Sequence, residues 1–508
     1  MSDQTAETES TATRGTWARG AWGDGSPRAT RRGAKLRPGG YGGAEPPRTG
    51  GVWGGRPPEV STAPLSRRGL LRAAGAGAAV VGGGGLLDAC SSSIKGAAAT
   101  SSSGSSTKDI VIGFIHPLTG PLADFGTSDN WILSKITATS QYKNGIKVGG
   151  KTYPVTIKSY DTQSDPNRAG DLASQAILSD KVDLLLTSST PETVNPVATK
   201  AETLGTPLVC GNVPWQSWYA NLGGNPTPGK STFKPQWTTM YFLGVNDLCN
   251  SFIPMWNRIH AKLGTDKVVG CTFPNDSDGN AFRAAWPIFA KAAGYTLIDP
   301  PAYTDGLTSY SSMIDLFKSN KCDFFTNVPL PPDFNVMWKQ SAQLGFKPKL
   351  ATVAKVLLFP SDVKALGNLV VNVATDAWWA PGMPWKSSLT GETCTQIATE
   401  FEADTGQQWV QSLSNYSLFE VAYAAFTSVS DPHDKTEVAD ALFKVNINGL
   451  AGTLDWTSGK SPAPGVVDTP CVGVQWKPNA KWGYSMEVVD NTLMPEVPLT
   501  GTLEPTNT

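Results

Sequence analysis

Cys90 is the residue whose surroundings most directly specify a covalent reaction. Arg67, Arg68 and Arg72 precede a weakly apolar run rich in Gly and Ala, which ends in Leu87-Asp88-Ala89-Cys90. A basic region, an apolar region and a small residue before a cut are the parts of a secretory signal, and a cysteine directly after the cut can carry a lipid on its thiol. The other six cysteines, Cys210, Cys249, Cys271, Cys322, Cys394 and Cys471, are widely spaced and include no C-x-x-C pair. Zinc ligation and thioredoxin-like exchange are therefore not expected, and it stays open whether these thiols pair in an oxidising compartment or remain free and buried. His116, His260 and His433 stand far apart, and no G-x-S-x-G elbow occurs. An exported hydrolase would need a nucleophile beside a positioned base, or paired carboxylates in a cleft. That reading is disfavoured, and no catalytic residue is assigned. Asn275 to Gly279 imitates a calcium loop, but Pro274 holds the first ligand position and Ala285 the last, so no metal site is expected. No cofactor is implied.

The arginine pair and the mild hydrophobicity of 66–90 resemble a twin-arginine signal. Leu87 to Cys90 resembles a bacterial lipobox, with Asp88 departing from the usual small or apolar residue. The expectation is export, with Cys90 anchoring the chain by lipid to the outer face of the cytoplasmic membrane. Residues 1–65, rich in Gly, Arg, Pro and Thr and without apolar periodicity, read as a disordered leader. They also read as an artefact of start-codon choice, since a start at Val60 leaves a signal of normal length. Gly75 to Gly85 loosely imitates a dinucleotide loop, but no strand precedes it. Residues 91–108, mostly Ser, Ala, Gly, Thr and Lys, read as a flexible tether. The net charge of −1 over 508 residues and the lack of a basic groove argue against a nucleic-acid partner. No strongly apolar run of spanning length follows the signal.

The elements that would position a site begin at residue 109. Strands are expected at Asp109 to Ile115, Tyr153 to Tyr160, Val182 to Leu186 and Thr206 to Cys210, alternating with helices at Ala123 to Tyr142, Pro166 to Ser179 and Val194 to Leu204. After an irregular stretch at 211–245, a second alternating series runs from Asp247 to Leu344. A strand at Leu369 to Thr375, helices near Ser417 to Val429 and Lys435 to Val445, and a β-rich ending at Gly452 to Trp456 and Cys471 to Trp476 complete the pattern. Strands separated by helices of this length predict βαβ units around parallel sheets, an α/β chain long enough for two domains. The tail from Asn491 reads as loose.

The order and spacing of several stretches resemble the leucine/isoleucine/valine-binding type of ABC-transporter substrate-binding protein over roughly 109–490. Ile110 to Gly113 with Pro117 to Gly126 is similar to that family's first strand and cleft loop, and Tyr160 to Pro166 to its second-strand motif. Pro196 to Ala198 before Thr206 to Val209, and Gly449 to Trp456 before Gly473 to Trp476, match later landmarks. The resemblance implies two Rossmann-like lobes, the type I periplasmic-binding-protein fold, joined by three crossovers near 237–244, 371–376 and 448–456. Lobe 1 would hold 109–240 and 376–450, lobe 2 would hold 241–375 and 451–490, and 491–508 would be the tail. A ligand would sit between the lobes at the C-terminal strand ends, where helix N-termini and unpaired N–H groups point, and hinge closure would bury it. The implied partners are a small-molecule ligand and an ABC permease, with the chain acting as a monomer. The same fold could instead report to a membrane signalling partner.

Position by position, the resemblance places Phe125 as an aromatic wall, or as an ordinary helix-start hydrophobe. Ser188, Ser189 and Thr190 lie where hydroxyls and N–H groups hold a carboxylate or other polar group, or serve only as helix caps. Asn212 and Val213 lie where backbone groups face the ligand, and Trp215 just beyond could wall it off. Lobe 2 departs from the amino-acid-binding pattern. The family's cleft tyrosine maps to Asp278, its aromatic pair to Leu330 and Pro331, and its ammonium-holding acid to Ala354, beside Lys355. An unpaired buried ammonium is costly. Either Asp278 supplies the acid, or the ligand lacks an amine and is a carboxylate answered by Lys355, an amide or an aromatic compound. Lys355 could also be a solvated surface lysine. Tyr416 maps to an aromatic within reach of ligand, and Trp378, Trp379 and Trp385 could extend an aromatic pocket or fill the core between lobes.

Overall fold

The computed structural model describes residues 107–506, Pro228 apart, and the backbone of Ser92–Lys95. The leader at 1–65, the signal at 66–90 with Cys90, and most of the tether lie outside the described residues. These described residues belong to one compact unit.

The chain builds one sheet, moves to a second, and then visits each again. The first passage carries strands β1 (Ser92–Lys95), β2 (Ile110–His116), β3 (Ile146–Val148), β4 (Lys151–Tyr153), β5 (Val155–Asp161), β6 (Leu184–Ser188), β7 (Leu208–Gly211) and β8 (Thr238–Tyr241). Helices α1 (Asp129–Ala138), α2 (Ser140–Lys143), α3 (Pro166–Leu178), α4 (Pro191–Leu204) and α5 (Trp215–Asn221) lie between them. The second passage alternates α6 (Val245–Leu263), β9 (Val268–Thr272), α7 (Ser277–Ala292), β10 (Thr296–Ile298), α8 (Ser311–Ser319), β11 (Phe324–Asn327), α9 (Pro331–Gln343), β12 (Leu350–Val353), α10 (Pro360–Leu366) and β13 (Ala374–Ala377). The chain then returns through α11 (Cys394–Thr405), α12 (Tyr416–Thr427), α13 (Lys435–Leu442), the hairpin β14 (Asn446–Gly449) and β15 (Gly452–Asp455), and β16 (Val466–Val467). It ends on the second sheet as β17 (Val472–Asn479) and β18 (Gly483–Asp490).

The sheet orders are β1-β5-β2-β6-β7-β8-β16 and β10-β9-β11-β12-β13-β17-β18. From β5 to β16 the first sheet is parallel, as is the second from β10 to β13. Sheets covered on both faces need continuous apolar strands. β6 accordingly reads Leu-Leu-Leu-Thr-Ser and is buried throughout. The covering helices are amphipathic. In α3, Ala169, Leu172, Ala173, Ala176 and Ile177 form the buried stripe, Asp165 caps the start by accepting from the Arg168 N–H, and Pro166 occupies the first turn.

Two α/β lobes with parallel sheets match the expected architecture, but several boundaries differ. The first crossing is 242–244, after β8. The second follows β13, because Gly367–Val370 is a 3-10 turn and the strand begins only at Ala374. The third lies at 468–471, between β16 and β17, not at 448–456. Residues 446–455 are an antiparallel hairpin of lobe 1, in which Gly452 turns at φ +101° against the Trp385 ring. Glu420 fixes this hairpin by accepting from the Leu450 N–H at 2.8 Å, while the Ala451 N–H donates to Ser417 Oγ. Within the expected tether, Ser92–Lys95 pairs antiparallel with β5. The tail is not loose either. Met494 and Val497 are buried, the Thr506 N–H donates to the Lys349 carbonyl, and the Ala351 N–H donates to Thr506 Oγ1. The six described cysteines are free and buried. Among the described residues no helix is long and apolar enough to cross a membrane.

Candidate functional site

The cleft loop at 117–126 is shaped by the end of β5. Asp161 Oδ1 accepts from the N–H groups of Leu118 and Thr119, and Asp161 Oδ2 accepts from Thr119 Oγ1 at 2.7 Å. These bonds hold the Asp161 carboxyl below its ordinary range, against the upward push of burial. Ser164 Oγ accepts from the Leu122 N–H and donates to the Thr119 carbonyl. Gly120, at φ +88°, passes so close to the Gln163 carbonyl that a Cβ would not fit. The loop then turns as a 3-10 helix at Ala123–Gly126 and seats Phe125 against Phe359 of the other lobe, with ring centroids 4.9 Å apart and edge-on.

α4 begins beside it. Thr190 holds the N-cap position but makes no capping hydrogen bond, and Pro191 pre-sets the first turn. The hydroxyls of Ser189 and Thr190 are both buried and unpartnered. The Ser188 hydroxyl instead donates to Asn415 Oδ1 at 2.7 Å, and Asn212 Nδ2 donates to the same oxygen at 2.9 Å. Asn415 Nδ2 donates to Asp129 Oδ1, and Asp129 Oδ2 lies 2.8 Å from His116 Nδ1. Asn415 thus clips together the loops after β6 and β7, where Asn212 takes φ +60°.

Lobe 2 presents a buried cation. Lys355, at φ +67° just past β12, directs Nζ to Glu192 Oε1 at 2.8 Å, Asp278 Oδ2 at 2.9 Å and Asp276 Oδ2 at 3.3 Å. Its side chain is 4% exposed. Glu192 belongs to the first turn of α4, whereas Asp276 caps α7 by accepting from the Gly279 N–H, so the cluster spans both lobes. Burial pushes the Asp278 carboxyl up to about 7. Lys355 opposes this shift, and the neighbouring carboxylates Glu192 and Asp276 add to it. Burial alone would lower Lys355, but the three carboxylates hold its ammonium well above the ordinary lysine range. Burial would likewise raise Glu192, yet Lys355 keeps it below the usual range.

Between these groups lies a cavity of ≈ 40 Å³. Phe125, Thr190, Asn212, Asp278 and Lys355 line it, joined by Phe242, Phe282, Leu358, Asp376 and Trp378. On this measure one water needs about 10–15 Å³, so the closed lobes leave room for about three waters. The two crossing residues Phe242 and Trp378 meet edge-on at 5.1 Å, and burial pushes Asp376 up to about 7. Among the described residues no group of three or more His, Cys, Asp or Glu side chains is arranged to hold a metal ion.

The structure thus gathers six of the expected residues, Phe125, Thr190, Asn212, Asp278, Lys355 and Trp378, at one cavity. Lys355 is not a solvated surface lysine, and its ammonium is already engaged. Ser188 is tied to Asn415, and Ser189 sits one residue behind the lining Thr190. Val213, Trp215, Leu330 and Tyr416 do not line the cavity. Val213 is core, and Trp215 packs its ring on Gly244 and donates its backbone N–H to the Leu243 carbonyl, bracing the first crossing. Leu330 starts α9, and Tyr416 is wholly buried at the start of α12. Glu192, Asp276, Asp376 and the wall residue Phe242 had escaped the sequence reading. The position of Glu192 in the first turn after Pro191, at a strand end facing the cleft, was the available signal.

A family model for periplasmic binding proteins matches residues 109–481. The fold is similar to that of a leucine-binding protein from Thermotoga maritima (17% identity, TM-score 0.58, covering 75% of this chain and 99% of that one). It is also similar to a branched-chain amino acid transporter substrate-binding protein from Streptococcus pneumoniae, solved with isoleucine (14% identity, TM-score 0.58, 75% and 99%). A type 1 periplasmic binding protein from Bordetella pertussis gives a TM-score of 0.60 at 15% identity, covering 75% and 100%. Two parallel-sheet lobes, three crossings and a walled cleft between strand ends agree with that match, and the chain belongs to the periplasmic binding protein family, with the type I fold seen in its leucine-binding members.

Proposed function

We propose that this chain is an extracytoplasmic solute receptor that captures a small organic molecule between its lobes and delivers it to an ABC permease, while a lipid on Cys90 keeps it at the outer face of the cytoplasmic membrane. One observation carries the reading. At a cavity between two lobes, aromatic walls from the crossings face the buried hydroxyl of Thr190, which makes no well-formed hydrogen bond, although its proximity helps hold the Glu192 carboxyl low. A buried polar group without a partner costs about 1–3 kcal/mol, a penalty that a ligand removes. The neighbours solved as leucine-binding and isoleucine-bound proteins support a ligand of that size. The candidate classes are amino-acid-like molecules, amides and aromatic or aliphatic carboxylates. Function then needs affinity and closure, with the permease reading the closed shape.

Mass spectrometry of small molecules released on denaturing the purified full chain tests this. One compound recovered in stoichiometric amount, and rebound saturably by the emptied protein, is the expected result. Release of nothing, together with no saturable binding across the three classes, would count against a solute receptor.

A further inference from the structure

The two features of this cleft that attract a carboxylate already hold one. The first is Lys355. An ammonium has three N–H donors, and those of Lys355 face carboxylate oxygens of Glu192, Asp276 and Asp278. The second is the start of α4, because a helix N-terminus favours negative charge. Glu192 stands in that first turn, and its own backbone N–H helps to hold its carboxyl low.

Negative charge is left over. Four carboxyls, on Glu192, Asp276, Asp278 and Asp376, stand at the cavity or against Lys355, which is the single cation there among the described residues. Glu192 Oε2 is buried without a hydrogen-bond partner. Asp376 lines the cavity and is 3% exposed. Its carboxyl takes a long 3.5 Å contact from Thr375 Oγ1, and burial raises it with no cation in opposition. On the same cavity the Thr190 hydroxyl makes no well-formed hydrogen bond. Phe125, Phe242, Phe282 and Trp378 supply four aromatic rings, and such rings attract a cation most strongly where water is excluded.

We infer that the ligand is an organic amine without a carboxylate of its own, whose ammonium enters the aromatic-walled cavity to meet Asp376 and the Thr190 hydroxyl. This rests on the receptor reading above. It departs from the isoleucine held by the Streptococcus pneumoniae neighbour. The amine of such a molecule finds a partner here, and its carboxylate finds both seats taken. An unmatched buried charge is costly.

Two matched series test the inference by calorimetry on the full chain. One is isoamylammonium, isoamyl alcohol, isocaproate and leucine. The other is phenethylammonium, 2-phenylethanol, 3-phenylpropionate and phenylalanine. Burial raises Asp278 and Asp376 to about 7, so the titrations are run at about pH 8, and an ammonium beside these carboxyls favours their charged form further. In at least one series the ammonium compound is expected to bind at least about tenfold more tightly than the other three members. Asp376→Asn, which keeps the shape and removes the charge, is expected to cut the advantage of the amine over the alcohol at least about fivefold. Glu192→Gln, which takes the resident carboxylate from the start of α4, is expected to narrow the gap between amine and amino acid. The order in the unsubstituted protein needs no variant, so poor folding of either variant leaves that arm intact. Binding of an alcohol, carboxylate or amino acid as tight as that of its amine overturns the inference while the receptor reading stands. An amine preference that Asp376→Asn leaves whole overturns the assignment to Asp376. No binding by either amine overturns the inference as well, and the compound released on denaturing the full chain then decides the receptor reading separately.

Discussion

Lys355 Nζ lies 2.8 Å from Glu192 Oε1, and this bond joins a loop of lobe 2 to the first helical turn of α4 in lobe 1. Lys355 also holds Asp276 and Asp278 within its own lobe, so one ammonium ties the mouth of α4 to the start of α7.

Breaking that tie should be costly and non-additive. Removing one partner of a buried ion pair typically costs about 3–5 kcal/mol, because the other charge is left unmatched. Lys355→Met is expected to fall in that range by urea unfolding. Glu192→Gln should cost less, about 1–2 kcal/mol, since two carboxylates still hold the lysine. The double variant should lose less than the two single losses combined. Additivity within about 0.5 kcal/mol would show that the pair is not coupled.

Asn415 organises lobe 1's side of the cleft through three buried hydrogen bonds, to Ser188, Asn212 and Asp129. Asn415→Ala orphans donors on two cleft loops and an oxygen of a buried carboxylate. A loss of about 1–3 kcal/mol per unsatisfied group sets the scale. Reduced stability with weaker ligand binding is expected. If stability falls while affinity is unchanged, Asn415 does not position the cleft loops.

Stability should fall as pH rises from mildly acidic to mildly basic. Burial, as the largest cause, pushes Asp278 and Asp376 up to about 7, and Asp362 and Asp468 up to about 8, from the ordinary 3.8. Between about pH 4 and 8 the folded chain therefore binds more protons than the unfolded chain, and folding is favoured toward the acid side. The contribution is fully present below about pH 4 and lost as pH rises through 7 to 8. Calorimetry should give a melting temperature a few degrees higher at pH 5.5 than at pH 8.5. The carboxyls of Asp161 and Asp180, which are held low, lose their contribution only at more acidic pH, outside this window. A flat profile, or one that rises with pH, contradicts the buried-acid account.

The C-terminal strap is a structural part of lobe 2. Ending the chain at Asp490 exposes the places of Met494, Val497 and Leu503 and removes the Thr506 bonds to the edge of β12. Full burial of such side chains contributes about 1.5–3 kcal/mol each, as an upper bound. Loss of several kcal/mol in urea unfolding is expected. A truncated chain as stable as the full one would show that the strap adds nothing.

Some of this was legible in the sequence, because local chemistry specifies it. Tyr160 to Pro166 predicted a strand end followed by a helix, and Asp161 and Ser164 build the cleft loop through contacts to the neighbouring segment. Phe125, Thr190 and Asn212 follow strand ends, and a parallel sheet carries all such positions to one edge. The Glu192–Lys355 bond was not legible. The two residues are 163 positions apart on different lobes, and nothing in the spacing of either shows the other. Trp378 was legible as a pocket aromatic, but the Phe242 that meets it was not, because it lies in a crossing, where the chain leaves the periodic pattern that locates strands and helices. The hairpin at 446–455 reads as a crossing in the sequence because its glycines serve a tight turn as readily as a passage between lobes. The tail reads as loose because its Pro/Thr-rich composition hides three apolar residues that dock separately.

The central claim is a saturable small-molecule site between the lobes, and thermal denaturation of the full chain with and without candidate solutes tests it most directly. Amines, amides, alcohols, carboxylates and amino acids with aromatic or branched bodies should include at least one compound that, at about 100-fold over its dissociation constant, stabilises the protein by about 2.7 kcal/mol. That shift should shrink in Thr190→Val and in Phe242→Ala, which alter the cavity from its two sides. No shift across the panel, or a shift that both variants leave intact, would contradict a ligand site in this cleft.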